Sequence, residues 1–191
     1  MEISFPKPEL KGNKSLEECI YERESVRNYV DQNIEIEKIS QILWATQGKK
    51  GEKRTVPSAG ATYPLEIYVN VKKKGFFHYN IRKHVLELIS EEDLSEDLAK
   101  ASLDQHFIAE AYLNIVICAE FSRTTWRYGE RGIRYVFIEV GHCAQNIHLE
   151  AVALGLASVP IGAFDDYKVK NVLQLPKKIE PLYIIPIGYT K

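Results

Sequence analysis

Cysteine is scarce and irregularly placed: three residues, at 19, 118 and 143, in a chain of 191. An odd, scattered set builds neither a disulfide framework nor a redox or metal pair. Cys118 and Cys143 lie in apolar runs, so buried reduced thiols are expected. An excess of either charge is missing too. The 25 basic and 26 acidic side chains give a formal net charge of -1, which removes the basic surplus expected of a nucleic-acid binder and leaves no acidic tail. No uninterrupted hydrophobic run is long enough for a membrane span, because the longest apolar region is broken by Glu139, His142, Asn146 and Glu150. The opening MEISFPKPELKGNK has no apolar core for a signal peptide, and a cytoplasmic location is the expectation. Glycine-rich phosphate motifs are absent: there is no GxGxxG after a strand, no P-loop and no GxSxG. A nicotinamide, if one is used, is therefore not held by a Rossmann domain. No repeat, low-complexity block or linker divides the chain, so a single domain over 1–191 with an N-terminal arm over 1–14 is expected.

What remains is ordinary globular composition, 45% hydrophobic and 27% charged, organised around one stretch. From Arg134 the sequence RYVFIEVGHCAQNIHLEAVALG reads as a long helix, apolar on most of its circumference. Glu139, His142, Asn146 and Glu150 recur at steps of three and four and draw one polar seam along it. Such a helix must be covered on several sides. Gly155 is its expected C-terminal cap, and 157–164 reads as a short buried strand closed by Asp165 and Asp166.

Around this helix the pattern predicts a capped helix from Ser15 to about Glu24, with Ser15 and Glu18 as the capping box, and a second from Glu35 to Gln47. Residues 49–55 read as a polar, mobile loop. Strands are expected over 66–73, 76–79 with 85–89 as a hairpin, 113–119, and 182–187. A helix capped by Ser90 with Asp93 and extending to about Phe107, a loop over 121–132 and a helix over 166–175 complete the list.

Arg23, Ser25 and Arg27 are spaced by two, which in an extended segment puts three polar groups on one face. Two guanidinium forks and a hydroxyl would suit a phosphate. By spacing alone, the solvated end of the first helix is the simpler reading. The segment from Pro57 to Pro64 holds Gly60 between two alanines, which would let a flat ligand approach the backbone; a tight turn before a strand explains it as well. The Gly162–Ala163 turn is ambiguous in the same way. Glu139 and His142 could form an acid–base pair, although a structural hydrogen-bonded pair is simpler. His78 and His84 flank a hairpin turn with no Cys or carboxylate set beside them, so no metal site is expected.

Taken together, these segments resemble the nitroreductase family of flavoproteins, and within it the SagB-type dehydrogenase branch, over about Ser15 to Lys191. Arg23-x-Ser25-x-Arg27 is similar to the family's FMN phosphate motif. Pro57-Ser-Ala-Gly-Ala-Thr-Tyr-Pro64 resembles the branch's flavin-edge motif. Glu139-x-Gly141-His142-x-Ala-Gln145-Asn146 followed by Pro160-Ile-Gly-Ala-Phe-Asp165 is the most specific signature. The resemblance implies an α+β fold with a mostly antiparallel central sheet, and a long helix at the interface of a two-fold homodimer. It implies two FMN sites built from both subunits, with electrons supplied by NAD(P)H or a similar donor. Around the flavin it places Pro57, Ser58, Ala59 and Gly60 against the ring system and Gln105 on the pyrimidine edge. The turn Pro160, Ile161, Gly162 and Ala163 follows, with the backbone N–H of Gly162–Ala163 near flavin N5. Donors at those edges favour the reduced anion. Only Lys191 stands where family members often carry a further basic residue over the phosphate. Azoline oxidases of the branch carry a Lys-Tyr pair before the long helix, where this chain has Arg127-Tyr128. An arginine stays protonated and is a poor base. The reading is an FMN-dependent oxidoreductase, with Arg127 and Tyr128 as catalytic candidates. The rivals are azoline oxidation in peptide maturation and a flavin-binding carrier or sensor without turnover.

Overall fold

In the computed structural model, which describes residues 1–191, the chain starts as a sheet edge. Strand β1 (Glu2–Ser4) pairs antiparallel with Val85–Glu87, so the expected arm gives three residues to the sheet, too few for alternation to reveal. Helix α1 (Leu16–Glu22) opens on the expected capping box. The Glu18 N–H donates to Ser15 Oγ at 3.1 Å and the Ser15 N–H to Glu18 Oε2 at 2.6 Å. Helix α2 (Ile36–Gln47) buries Ile39, Ile42 and Leu43 and ends at Gly48.

Residues 49–55 are not the expected loop. They form a small hairpin in which β2 (Lys49–Lys50) and β3 (Lys53–Arg54) pair around Gly51 at φ 61°. Strands of two residues are below the length at which alternation can be read. Then β4 (Leu65–Val71), β5 (Gly75–Asn80) and β6 (Val85–Ser90) form an antiparallel meander.

The helix expected to reach Phe107 is two helices, α3 (Ser95–Ala101) and α4 (Phe107–Glu110). Between them Leu103 and Asp104 take left-handed backbone at φ 60° and 58°, and this break carries Gln105 to its place. The expected side-chain cap is not formed: the N-cap of α3 is Leu94, and Asp93 just before it accepts from the Ser95 N–H at 3.1 Å. Strand β7 (Leu113–Ala119) is wholly buried. Its residues 113, 115, 117 and 119 join one core and 116 and 118 the other, which is why it reads as a continuous apolar run.

The expected loop over 121–132 contains helix α5 (Ser122–Tyr128). It has no apolar periodicity to betray it; tertiary contacts hold it. Thr124 is buried and its Oγ1 lies 2.8 Å from Thr62 Oγ1. Helix α6 (Arg131–Ala153) follows, then β8 (Ala157–Ser158), α7 (Asp166–Val172) and β9 (Glu180–Gly188). The strand expected to Phe164 stops at Ser158 and resumes only as a bridge between Ile161 and Ile184.

The seven-stranded sheet runs β1-β6-β5-β4-β7-β9-β8, every neighbouring pair antiparallel. Helices α2 and α6 cover one face and α3 and α7 the other, each over its own apolar core. This is the expected α+β arrangement. Helix α6 turns Val136, Val140, Cys143, Ala144, Ile147 and Ala151 to the sheet. Ile133, Phe137 and Ile138 on its outer side are 44%, 53% and 48% exposed. The polar seam does not hold as one line. Glu139 and Asn146 face α2, bonding Gln47 and the Ala45 carbonyl, and Glu150 lines a cleft with Gln41, whereas His142 is exposed.

Candidate functional site

The segment after α1 is extended, as the spacing of Arg23, Ser25 and Arg27 requires. Ser25 forms a parallel bridge with Ser158, and the Val26 N–H donates to Ser158 O at 3.1 Å. Tyr29 fastens the segment further, its hydroxyl donating to the carbonyls of Val26 and Pro186 at 2.8 and 3.1 Å. Backbone groups therefore hold this strand against β8 and β9, leaving the three side chains unspent. Arg27 and Ser25 are exposed and Arg23 half-buried. The Val30 N–H donates to Tyr189 O at 2.9 Å, so Lys191, also exposed, leaves the sheet beside this segment.

Directly behind Ser158 lies His148 of α6, 3% exposed. Its Nδ1 is 2.9 Å from Ser158 Oγ, and its Nε2 has no partner. Burial, reinforced by the positive charge of Arg23, pushes its pKa down to about 4, so the ring is neutral. A lone histidine on the buried face of a helix was the sequence signal for this residue, and spacing could not say what it faced.

Past β8, Pro160 is half-buried, Ile161 is buried in the sheet bridge, and Gly162 and Ala163 are exposed with N–H groups that find no partner in the chain. Gln105, delivered by the break between α3 and α4, donates to Ala163 O at 2.8 Å and to Ser102 O at 2.7 Å. Gln105 thus meets the 160–163 turn, and the segment of Arg23, Ser25 and Arg27 meets β8 just before that turn.

The segment 57–64 lies elsewhere, against α5. Three of its residues take left-handed backbone, Gly60, Ala61 and Tyr63 at φ 58°, 55° and 46°, a concentration of strain typical of binding sites. Ser58 Oγ accepts the Tyr63 N–H at 2.9 Å, and Pro57 is exposed while Ser58 and Ala59 are half-buried. Above Gly60 sit the two catalytic candidates. An added Cβ there would meet Tyr128 Oη at 2.5 Å and Arg127 Nη1 at 3.0 Å. Arg127 donates to Gly60 O at 3.4 Å and its guanidinium lies 5.5 Å from the Tyr128 ring. An open cleft of about 450 Å³ between Gly60–Thr62 and α5 is lined also by Arg123 and Trp126. A cleft of about 480 Å³ under the N-terminal arm, lined by Trp44, Gln41 and Glu150, touches none of the motif residues.

Charge around this second cluster is largely basic. Arg54 stacks on the Tyr63 ring at 4.4 Å, and Arg123 bridges Glu66 at 2.6 Å and Glu120 at 2.9 Å. The acid–base pair considered for Glu139 and His142 is not formed. Glu139 is buried and accepts from Gln47 Nε2 at 3.4 Å instead; burial raises its pKa against the opposing pull of the Ser58 hydroxyl, Gln47 and the Arg54 charge. Its hydrogen bond ties α6 to the end of α2. His78 and His84 are also separated. His78 does have carboxylates beside it, Glu66 at 2.7 Å and Glu87 at 3.7 Å, contrary to expectation, because β4, β5 and β6 bring them together from distant positions. His84 bonds Tyr79 and Ser40.

No hydrogen bond or ion pair joins the two clusters within one chain. Glu139 and His148, which lie beside them, are nine residues apart on α6, about 13 Å along its axis.

The element order, the antiparallel sheet and the central helix are those of a known group, and residues 20–189 match its sequence profile. The chain belongs to the nitroreductase family. The family consists of flavin-dependent oxidoreductases, and the chain shares that coarse chemistry. It is 43% identical over 195 residues to a protein of Methanocaldococcus jannaschii named as a nitroreductase, covering 98% of this chain and 96% of that protein. It is 32% identical over 145 residues to a trifolitoxin-processing protein of Rhizobium leguminosarum, covering 67% of this chain but 37% of that longer protein. Among solved structures, a Ralstonia eutropha protein described as a nitroreductase superposes with a TM-score of 0.90 at 25% identity, over 100% of this chain and 90% of that one. No helix is long and apolar enough to cross a membrane.

Proposed function

We propose that the protein is an FMN-dependent oxidoreductase, acting as a homodimer, that moves two electrons from NADPH or NADH to a small planar acceptor. One observation carries the reading: the bridge between Ser25 and Ser158, which sets Arg23, Ser25 and Arg27 beside the 160–163 turn with their polar groups unspent. The residues present fit the cofactor. The arginines and the serine would hold its terminal phosphate, the free N–H groups of Gly162 and Ala163 would face the ring's redox edge, and Gln105 would orient the pyrimidine side. Bound FMN would supply the hydride-transfer chemistry that no side chain provides.

The chain's own residues do the rest. Ser58 to Gly60, braced by the Tyr63 N–H on Ser58 Oγ, would offer a backbone surface for a flat ring. In a two-fold dimer this surface would come from the partner, completing a site that neither chain closes alone. Trp126 and Tyr128 would stack an acceptor or donor, and Arg127 would hold its negative charge. With no dinucleotide fold, donor and acceptor would use the same pocket in turn.

The likeness to the trifolitoxin-processing protein supports a second reading, oxidation of azoline rings in a peptide. Arg127 weighs against it, since a guanidinium keeps its proton. A carrier or sensor would bind flavin without turnover. One experiment separates the three: the visible spectrum of the purified protein, followed by anaerobic addition of NADH or NADPH. A flavin spectrum bleached within seconds, with parallel initial-rate plots for donor and acceptor, is the expected result. A protein purified and reconstituted without flavin would end the proposal, and a flavin that neither nucleotide reduces would leave the carrier reading or the azoline reading.

A further inference from the structure

We infer that the cleft between Gly60–Thr62 and α5 selects its acceptor by charge: the substrate class is a small aromatic monoanion, with its ring on Trp126 and its carboxylate on Arg127. The inference rests on the oxidoreductase reading above and deepens it by committing this cleft to one class of acceptor. What decides the matter is which cations of the cleft already have partners. Arg123 and Arg127 lie one turn apart on α5, and both line the cleft. Arg123 is fully engaged. It bridges Glu66 at 2.6 Å and Glu120 at 2.9 Å, and its remaining nitrogen reaches Tyr63 O at 3.4 Å. Its charge is matched where it stands, and its work is to mount α5 on β4. Arg127 is the opposite case: exposed, in no ion pair, with only a long bond to Gly60 O at 3.4 Å. No acidic residue lines the cleft, so nothing within it competes for this guanidinium.

Trp126 supplies the other half. It lines the same cleft and is 77% exposed, so its indole face is open for a flat ring to cover. A cleft of about 450 Å³ is of small-molecule size and offers one unmatched cation. A single ring bearing one carboxylate matches both size and charge, and the two carboxylate oxygens suit a planar fork. A dinucleotide could place only its nicotinamide end there. With para-nitrobenzoate as the probe, the nitro group takes up two electrons and two protons, loses water and becomes a nitroso group. NADPH or NADH is oxidised in the same turnover, and the carboxylate is held without being changed.

The test sets para-nitrobenzoate against its neutral analogue para-nitrobenzamide on wild type, Arg127→Ala, Arg127→Lys and Trp126→Ala. Arg131→Ala serves as a control for general charge, since Arg131 is exposed and outside the cleft. Binding to the oxidised holoprotein is read by isothermal titration without donor, and kcat/KM is then measured with donor present. Comparing the benzoate-to-benzamide ratio between variants cancels the intrinsic difference in reactivity of the two rings. Wild type should bind the benzoate about 10-fold more tightly, the low end for a hydrogen bond to a charged group, because the cleft is open to water. Arg127→Ala should abolish that preference and shift the kcat/KM ratio by the same factor. Arg127→Lys should restore part of it, and Arg131→Ala should keep it. Trp126→Ala should weaken both probes alike, by about 2- to 10-fold, the worth of one aromatic pair. Equal affinities in wild type, or a preference that survives Arg127→Ala, would overturn the inference and leave the FMN reading standing. So would a benzoate bound through Arg127 yet not reduced by a protein whose flavin the donor bleaches. A protein without flavin would instead remove the oxidoreductase reading, and the acceptor assignment with it.

Discussion

At the scale of single residues, the site is a set of polar groups that the chain positions but does not consume. Arg27 is the clearest case: exposed, without a carboxylate, on a strand fixed by its own backbone. Because the backbone does the fixing, Arg27→Ala should leave the melting temperature within a degree or two. It should weaken FMN by about 1.5–3 kcal/mol, the value of a hydrogen bond to a charged group, while sparing riboflavin; isothermal titration with both ligands reads this out. Equal losses would make the arginine structural. Arg127 and Tyr128 make the complementary case, since both cover Gly60 without a strong bond. Arg127→Ala and Tyr128→Phe should leave flavin content intact and lower kcat/KM by roughly 5- to 150-fold, about 1–3 kcal/mol. Arg127→Lys should recover part of the loss at most, because a planar fork is replaced by a point charge. Steady-state kinetics unchanged in all three would return α5 to scaffolding.

At the scale of elements, two contacts stand out. Helices α5 and α6 meet at Gly132, where an added Cβ would lie 2.9 Å from the Thr125 Cα and 3.1 Å from the Thr124 carbonyl carbon. Backbone cannot step aside as a side-chain tip can. Gly132→Ala should therefore destabilise the fold by about 1–3 kcal/mol and displace α5, raising KM more than it lowers flavin content. A thermal melt within a degree of wild type and an unchanged KM would contradict this. The second contact crosses the meander, where His78 meets Glu66 and Glu87. Burial of the ring opposes its charge, but the Glu66 hydrogen bond and both carboxylates outweigh it, so His78 titrates above its ordinary 6.5. Glu66 titrates below its ordinary 4.5, since His78 and Arg123 outweigh its burial. A raised histidine stabilises fully below 6.5 and fades as pH rises through the folded value. A lowered carboxylate stabilises above 4.5 and fades as pH falls. His78→Gln should thus lower the melting temperature most between those two values and little in alkaline buffer. A Tm difference independent of pH would show that the pair is held by packing and not by charge.

At the scale of the whole molecule, the outer side of α6 is unfinished. Ile133, Phe137 and Ile138 stay about half exposed on a helix whose inner face is wholly covered. No hydrogen bond or ion pair joins the two motif clusters within one chain. A two-fold partner would resolve both at once, burying upwards of about 2,000 Å². Phe137→Glu should split the dimer and release flavin together, because each site would lose its second half. Sedimentation of wild type at low micromolar concentration should give twice the 21.9 kDa chain mass. A monomer that retains flavin would refute the shared site.

Local chemistry was enough for much of this protein. The Ser15–Glu18 capping box, the long helix through Ala153 and the double-sided strand 113–119 are written in short-range pattern, because each depends on neighbours within a turn or a pleat. The motif residues were likewise visible by type, order and spacing. What local pattern could not hold was anything decided by distant partners. Helix α5 exists through Thr62 and the Gly132 crossing, the 49–55 hairpin through its closure on α2, and the Glu66–His78 contact through sheet register. The seam on α6 was legible as polar, but only packing against α2 decided that Glu139 would be buried against Gln47 while His142 faced outward. Side-chain type is a property of the sequence. Which polar groups are spent on the fold, and which are left for a ligand, is settled only when the chain closes on itself and water is excluded from one side of each group.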